Sequence, residues 1–252
     1  MSENEALDQG AIIEFPRQKS PGRSKTRARR VVAIGGGKGG IGKSLVSANL
    51  GIALAERGSK VVLVDADLGG ANLHTCLGVA QPKVSLSDFV EKRVERLEEV
   101  VVPTGIERLE LISGAMDELD AANPKHSQKA KLLRHLKTLD VDYVLLDLGA
   151  GTSFNVLDFF LIADIGVVVM LPEPTSIENA YRFIKAAFFR RLQTMAPDDD
   201  FASLVARALA PREGQAPMTP LDVVAELRKT DLEAAARLEH ALAGFSPWIL
   251  VN

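Results

Sequence analysis

The sequence predicts a doubly wound α/β fold, a mainly parallel sheet flanked by helices, and three observations carry that prediction. From Arg30 onward, short β-branched runs alternate with longer helical patterns. The first five runs, "VVAI" (31–34), "KVVLVD" (60–65), "LELIS" (109–113), "DYVLLD" (142–147) and "IGVVVML" (165–171), are continuous apolar stretches of strand length. Strands covered on both faces of a parallel sheet read this way. Finally, the glycine-rich stretch "GGGKGGIGKS" (35–44) lies directly between the first run and a helical pattern. Strand, glycine loop and helix in that order open a nucleotide-binding α/β unit.

The elements follow in order. Residues 1–29 read as a disordered basic N-terminal extension: Arg17 to Arg30 holds seven Lys or Arg and no acid, interspersed with Pro16, Pro21, Gly22 and serines. Such a segment buries too little apolar surface to offset its ordering entropy. It offers a basic arm for anionic lipid, nucleic acid or a partner protein. "ALDQGAIIEF" ahead of it is a candidate docking peptide. Residues 30–252 read as one phosphate-loop domain. Its helices include "KSLVSANLGIALAER", ended by Gly58, then "SQKAKLLRHLKTL", and a third over 177–192.

Right-handed crossovers between these units put the loops at the C-terminal strand ends on one edge, where ligands bind. The rhythm breaks at about 193–246, which reads as a helical insertion with helices near 220–229 and 231–243. Thr219 is placed to cap the first of these, with Pro220 at its first helical position. "PWILV" (247–251) reads as a buried strand, so the pattern expects more chain after Asn252.

Composition narrows the function classes. A net charge of −3 argues against whole-surface attraction to nucleic acid. One cysteine, Cys76, forms no internal disulfide and points to a reducing compartment. It reads as a small buried apolar residue. No apolar run is long enough to span a bilayer and the polar N-terminus lacks a secretory apolar region, so the expected location is the cytoplasm. His74, His126, His135 and His240 show no metal-ligand spacing.

The chemistry concentrates at the strand ends. Gly37, Gly42, Lys43 and Ser44 satisfy G-x-x-x-x-G-K-[ST], whose glycines let backbone N–H groups approach phosphate at a helix N-terminus. Lys43 is placed to reach the β/γ-phosphates of ATP, and the Ser44 hydroxyl to ligate Mg²⁺. The loop contacts expected of a nucleotide come from Gly37, Lys38, Gly39, Gly40, Ile41, Gly42, Lys43, Ser44 and Leu45. Asp65 and Asp67 follow the second run, two residues apart and on one face if the strand continues through both. Asp147 ends the fourth. Three carboxylates beside a phosphate loop suit magnesium binding and water positioning.

The loop holds a second lysine, Lys38, that phosphate cradling alone does not require. "KGGIGKS" resembles the deviant Walker A motif of the MinD/ParA class of P-loop ATPases. "DADLGGANLHTCLG" and "VLLDLGAGTSFNVLDFF" resemble the segments around its second strand and its Walker B, and the likeness covers about residues 31–192. "DADLGGANL", "DLGAG" and "PEPTSIENAYRFIK" are similar to the flagellar-number regulators, the FlhG/FleN branch, and Asp8-Gln9-Gly10 partly matches that branch's N-terminal D-Q-A motif, which acts on a flagellar GTPase.

The resemblance implies an ATP-dependent homodimer in which Lys38 reaches the partner subunit's nucleotide. It implies that Asp67 orients the attacking water and that Asp65 and Asp147 hold magnesium, largely through water. By the same likeness Asn72 lies near the γ-phosphate, Glu173 touches nucleotide across the interface, and Asn252 reads adenine. It also implies slow ATP hydrolysis awaiting an activator or cargo protein, with a membrane surface or DNA as docking alternatives. Iron–sulfur carriers of the class need paired cysteines, which one Cys76 does not supply. "FFRRL" (188–192) forms only a weak basic patch for DNA.

Overall fold

A computed structural model of the chain describes residues 30–67, 70, 72–114, 132, 134–195, 201–208 and 218–252. The extension before Arg30, with Asp8-Gln9-Gly10, and residues 127–131 and 133 of the expected 127–139 helix lie outside these residues. Seven strands form one sheet: β1 (Arg30–Gly35), β2 (Val61–Asp65), β3 (Val101–Pro103), β4 (Leu109–Ile112), β5 (Tyr143–Asp147), β6 (Ile165–Met170) and β7 (Trp248–Val251). Their spatial order is β3-β4-β2-β5-β1-β6-β7. Every neighbouring pair is parallel except β3 with β4. The doubly wound prediction therefore holds.

The α-helices whose bounds are described are α1 (Lys43–Glu56), single-turn α2 (Leu73–Cys76), α3 (Leu86–Val90), α4 (Phe154–Ile162), α5 (Pro174–Met195), α6 (Phe201–Ala208), α7 (Pro220–Thr230) and α8 (Leu232–Ala243). Strand parity divides the core between the two faces of the sheet. Val31, Ala33, Val62, Val64, Val144 and Leu146 pack with α3, α4 and α5. Val32, Ile34, Val61, Leu63, Leu109 and Leu145 pack with α1 and Leu73. All twelve are 2% exposed or less, which is why these runs are apolar at every position.

Three readings of the sequence change here. Strand β3 was hidden because "VVP" is three residues long; it pairs back on β4 through a turn containing Gly105. Strand β7 is not buried. Among the described residues it pairs only with β6, and Trp248, Ile249 and Val251 are each more than half exposed. Cys76 is exposed as well, because single-turn α2 buries only Leu73.

The region after α5 forms a helical group with its own core. Phe188 and Leu192 of α5 pack with Phe201 and Val205 of α6, Val223 and Val224 of α7, and Leu238 and Ala241 of α8. Helix α6 had no strong signal in the sequence. Helices α7 and α8 did: the Thr219 hydroxyl accepts the Asp222 N–H while the Asp222 carboxylate accepts the Thr219 N–H, and Pro220 opens the helix.

Candidate functional site

Parallel strands β1, β2 and β5 end together, so their C-terminal residues share one edge. Cα register pairs Ile34 with Asp147 and Asp65 with Asp147. The phosphate loop leaves β1 at this edge and returns as α1. Gly42 has φ +88°, the left-handed conformation that favours glycine, and its carbonyl accepts the first α1 bond from the Val46 N–H. Gly37 is required for a different reason. A Cβ there would lie 2.2 Å from the backbone oxygen of Asn179 on α5, so that helix packs directly on the loop.

The two lysines of the loop have opposite surroundings. Lys43 is buried, and its Nζ donates to the Lys38 carbonyl at 3.2 Å. Burial pushes its ammonium below the ordinary value, against the attraction of Asp147 and then Asp67. Lys38 is exposed, as are Gly39, Gly40 and Leu45 beside it. Lys43 thus faces into the cluster of acids while Lys38 stands out from the loop.

The acids are also distinct. Asp147 is 2% exposed and its Oδ1 lies 2.9 Å from the Ser47 hydroxyl. Burial raises its pKa, opposed by hydrogen bonds from Ser44 and Ser47 and by Lys43. Ser47 is a site residue that sequence reasoning missed. Its signal was a serine one helical turn after Lys43, on the buried face of α1.

Asp65 accepts the Asp67 N–H on Oδ1 at 3.2 Å and the Leu73 N–H on Oδ2 at 2.9 Å. Strand β2 ends at Asp65, so Asp67 lies in the following loop and not on a continued strand face. Burial, and to a lesser extent Asp147 and Asp67, push the Asp65 carboxyl up to about 7. Asp67 itself lies against Gly149, where a Cβ would be 3.0 Å from its Oδ1. Gly149 is a second missed residue; a side chain there would press on the Asp67 carboxylate. The 148–151 loop is tied to the phosphate loop as well, by the Gly151 N–H on the Gly36 carbonyl at 3.3 Å.

The remaining predicted residues sit around this centre. Asn72 is exposed and precedes α2. Glu173 is exposed just before α5, its carbonyl accepting the Ile177 N–H. The Asn252 amide nitrogen donates to the Ile41 carbonyl at 3.0 Å, so this side chain meets the phosphate loop itself. The weak basic patch is turned to internal use: Arg190 pairs with buried Asp158 and Arg191 donates to the Ala241 carbonyl.

The donor chemistry fits a hard cation beside a phosphate. Lys43, Ser44, Asp67 and Asp147 combine cation, hydroxyl and carboxylates at a helix N-terminus. Among the described residues, no cluster of three or more Asp, Glu, His or Cys could hold a metal ion alone. Mg²⁺ keeps several waters and is bound through one or two protein oxygens together with phosphate oxygens, a role open to the Ser44 hydroxyl and the carboxylates here.

Residues 27–195 match the family model described as ParA, NUBPL iron-transfer P-loop NTPase. Among curated proteins, the chain is 36% identical over 157 residues to the antiactivator FleN of Pseudomonas aeruginosa, a match covering 62% of this chain and 55% of that one. It is 33% identical over 239 residues to the flagellum site-determining protein YlxH of Helicobacter pylori, covering 90% and 74%. Among solved structures, the septum site-determining protein MinD of Pyrococcus horikoshii, complexed with Mg-ADP, superposes with a TM-score of 0.56 at 31% identity, covering 61% of this chain and 63% of that one. The chain thus spans little more than half the length of FleN.

Proposed function

Because the chain belongs to the ParA/MinD family of P-loop NTPases, we propose that it is an ATP-hydrolysing dimerisation switch that sets the place or number of a bacterial structure, the flagellum first. The observation that carries this reading is the contrast between the two loop lysines. Lys43 is buried against Asp67 and Asp147, where it serves its own subunit's phosphates, while Lys38 is exposed and free to serve a second subunit. A cation supplied across an interface stabilises charge developing at the γ-phosphate, as an arginine finger does.

ATP is the substrate in this reading. Lys43 holds its β/γ-phosphates, the loop glycines present their N–H groups, and Asp67 orients the attacking water and takes up its proton. Mg²⁺ would be held by Ser44, Asp65 and Asp147, the two carboxylates largely through water, and would neutralise phosphate charge. Asn72 and Glu173 sit on the exposed side of the site, where a second subunit would complete it. Among the described residues no helix is long and apolar enough to cross a membrane. The reading places the chain in the cytoplasm, with recruitment to a membrane surface or cell pole through surface contacts. Iron–sulfur carriage is not part of this reading, since Cys76 alone does not supply the paired thiolates that a bridging cluster needs.

The test is the solution mass of the Asp67→Ala protein with Mg-ATP and with Mg-ADP, each beside a version that also carries Lys38→Ala. A dimer with ATP, absent with ADP and absent without Lys38, supports the switch. An unchanged mass despite measured ATP binding would sink it.

A further inference from the structure

We propose that Asn252 is a positioning residue of the phosphate loop, acting on the Ile41–Gly42 peptide and not on the nucleotide base. The proposal rests on the reading that this loop binds nucleotide phosphate. Strand β7 runs parallel to β6, so its end arrives at the same sheet edge as the loop. The Asn252 N–H is fixed there by the Met170 carbonyl at 2.9 Å. From that anchor the side-chain Nδ2 crosses to the Ile41 carbonyl at 3.0 Å, joining positions 211 residues apart.

The contact is close by construction. Gly42 stands with φ +88°, and a Cβ on it would lie 2.4 Å from the Asn252 Nδ2. Any residue but glycine would therefore strain the backbone and displace Asn252 together. From the other side, the Ile41 side chain is buried against Gly36, where a Cβ would lie 2.7 Å from its Cδ1. The Ile41–Gly42 peptide is thus held at its carbonyl by Asn252 and at its side chain by the core.

Holding that carbonyl has a consequence for the phosphate. In a trans peptide the C=O and the following N–H point to opposite sides of the chain. Fixing the Ile41 carbonyl on Asn252 fixes the Gly42 N–H to point away from it. That N–H is one of the donors a glycine loop offers to phosphate. Without the tie, the peptide gains freedom that phosphate binding must then remove, and affinity falls for any ligand of the loop, with or without a base.

The experiment measures binding of ATP, GTP and inorganic tripolyphosphate, each with Mg²⁺, by calorimetry on wild type, Asn252→Ala and Asn252→Leu. The leucine variant keeps the bulk beside Gly42 and removes only the hydrogen bond. Both variants are expected to weaken ATP and tripolyphosphate by the same factor, roughly three- to tenfold for one hydrogen bond of ordinary strength, with the ATP-to-GTP ratio unchanged. A loss confined to ATP, with tripolyphosphate at its wild-type affinity, would show a base-reading side chain and overturn the proposal. Wild-type affinities in both variants would overturn it equally.

If wild type itself binds neither ATP nor tripolyphosphate, the nucleotide reading fails first and this one with it. Amide hydrogen exchange at Gly42 and Lys43 in ligand-free protein gives a second readout that needs no ligand. Exchange is expected to quicken in both variants at these amides while the β1 amides stay protected. Unchanged exchange at Gly42 and Lys43 counts against the tie.

Discussion

Helix α5 passes through two kinds of packing along its 22 residues. In its N-terminal half, Asn179 lies backbone to backbone against Gly37 of the phosphate loop, a contact so close that no side chain fits between them. In its C-terminal half, Phe188 and Leu192 sit among apolar side chains of α6, α7 and α8. The first contact is made by what is absent, a Cβ, and the second by apolar area removed from water. Substitutions at the two ends should therefore fail in different ways. Near the loop, binding should be lost before stability; in the helical group, stability should be lost before binding.

Gly37→Ala tests the first half of that comparison and carries the largest expected effect. The new methyl would sit 2.2 Å from the Asn179 oxygen, so either the loop or α5 must move. The α5 backbone is held by Phe183 and Ala187, both fully buried under the sheet, and the loop is the softer partner. A shift of that size in a phosphate-binding backbone should weaken ATP binding on the order of 100-fold, read by calorimetry. Retained affinity would mean that α5 yields to the loop.

Leu238→Ala tests the second half. Leu238 is fully buried in the helical group, away from every strand end that carries an acid. Truncating it should cost about 2–5 kcal/mol of stability through lost burial and the cavity left behind, read as a lower midpoint in urea. Nucleotide affinity measured well below that midpoint should match wild type. A parallel loss of affinity would show that α5 carries strain between the group and the loop, and the comparison would have to be withdrawn.

The two halves also differ in how legible they were. The loop announced itself because phosphate binding constrains residue type and spacing together: Gly37, Gly42, Lys43 and Ser44 leave few alternatives. Lys38 and Asp67 stood out once that frame was set. Ser47 and Gly149 did not, since a serine on a helix and a glycine in a loop have many uses. Their roles follow from Asp147 and Asp67 coming within reach across the sheet edge. In the helical group the caps were legible at Thr219 and Pro220, because capping is local. Helix α6 was not, as its apolar positions Phe201 and Val205 make sense only against α5. The exposure of β7 was equally hidden: four apolar residues in a row describe a strand but not its place at the sheet edge.

The smallest expected effect is a dependence of stability on pH that only the loop end should show. Burial, first of all, holds the folded-state pKa of Asp65 up at about 7, above its unfolded value of 3.8. Between those values the folded chain binds more protons at this position than the unfolded chain. Stability contributed by Asp65 is then fully present below about pH 4 and is lost as pH rises through 7. Asp147 is shifted in the same direction and adds to the slope. Ligand-free protein should accordingly lose stability from pH 5 to 7.5, by at most about 1.4 kcal/mol per pH unit for one such group. The Asp65→Asn protein should show a flatter profile over that range. It keeps one oxygen for the Leu73 N–H, so a modest loss at low pH should accompany the flattening. Mg²⁺ with nucleotide should also flatten the wild-type profile, because added positive charge favours the ionised carboxylates. Chemical denaturation at several pH values separates these cases. A wild-type profile as flat as the variant's would mean that water reaches Asp65 freely, and the loop end would then be no more desolvated than the surface of the helical group.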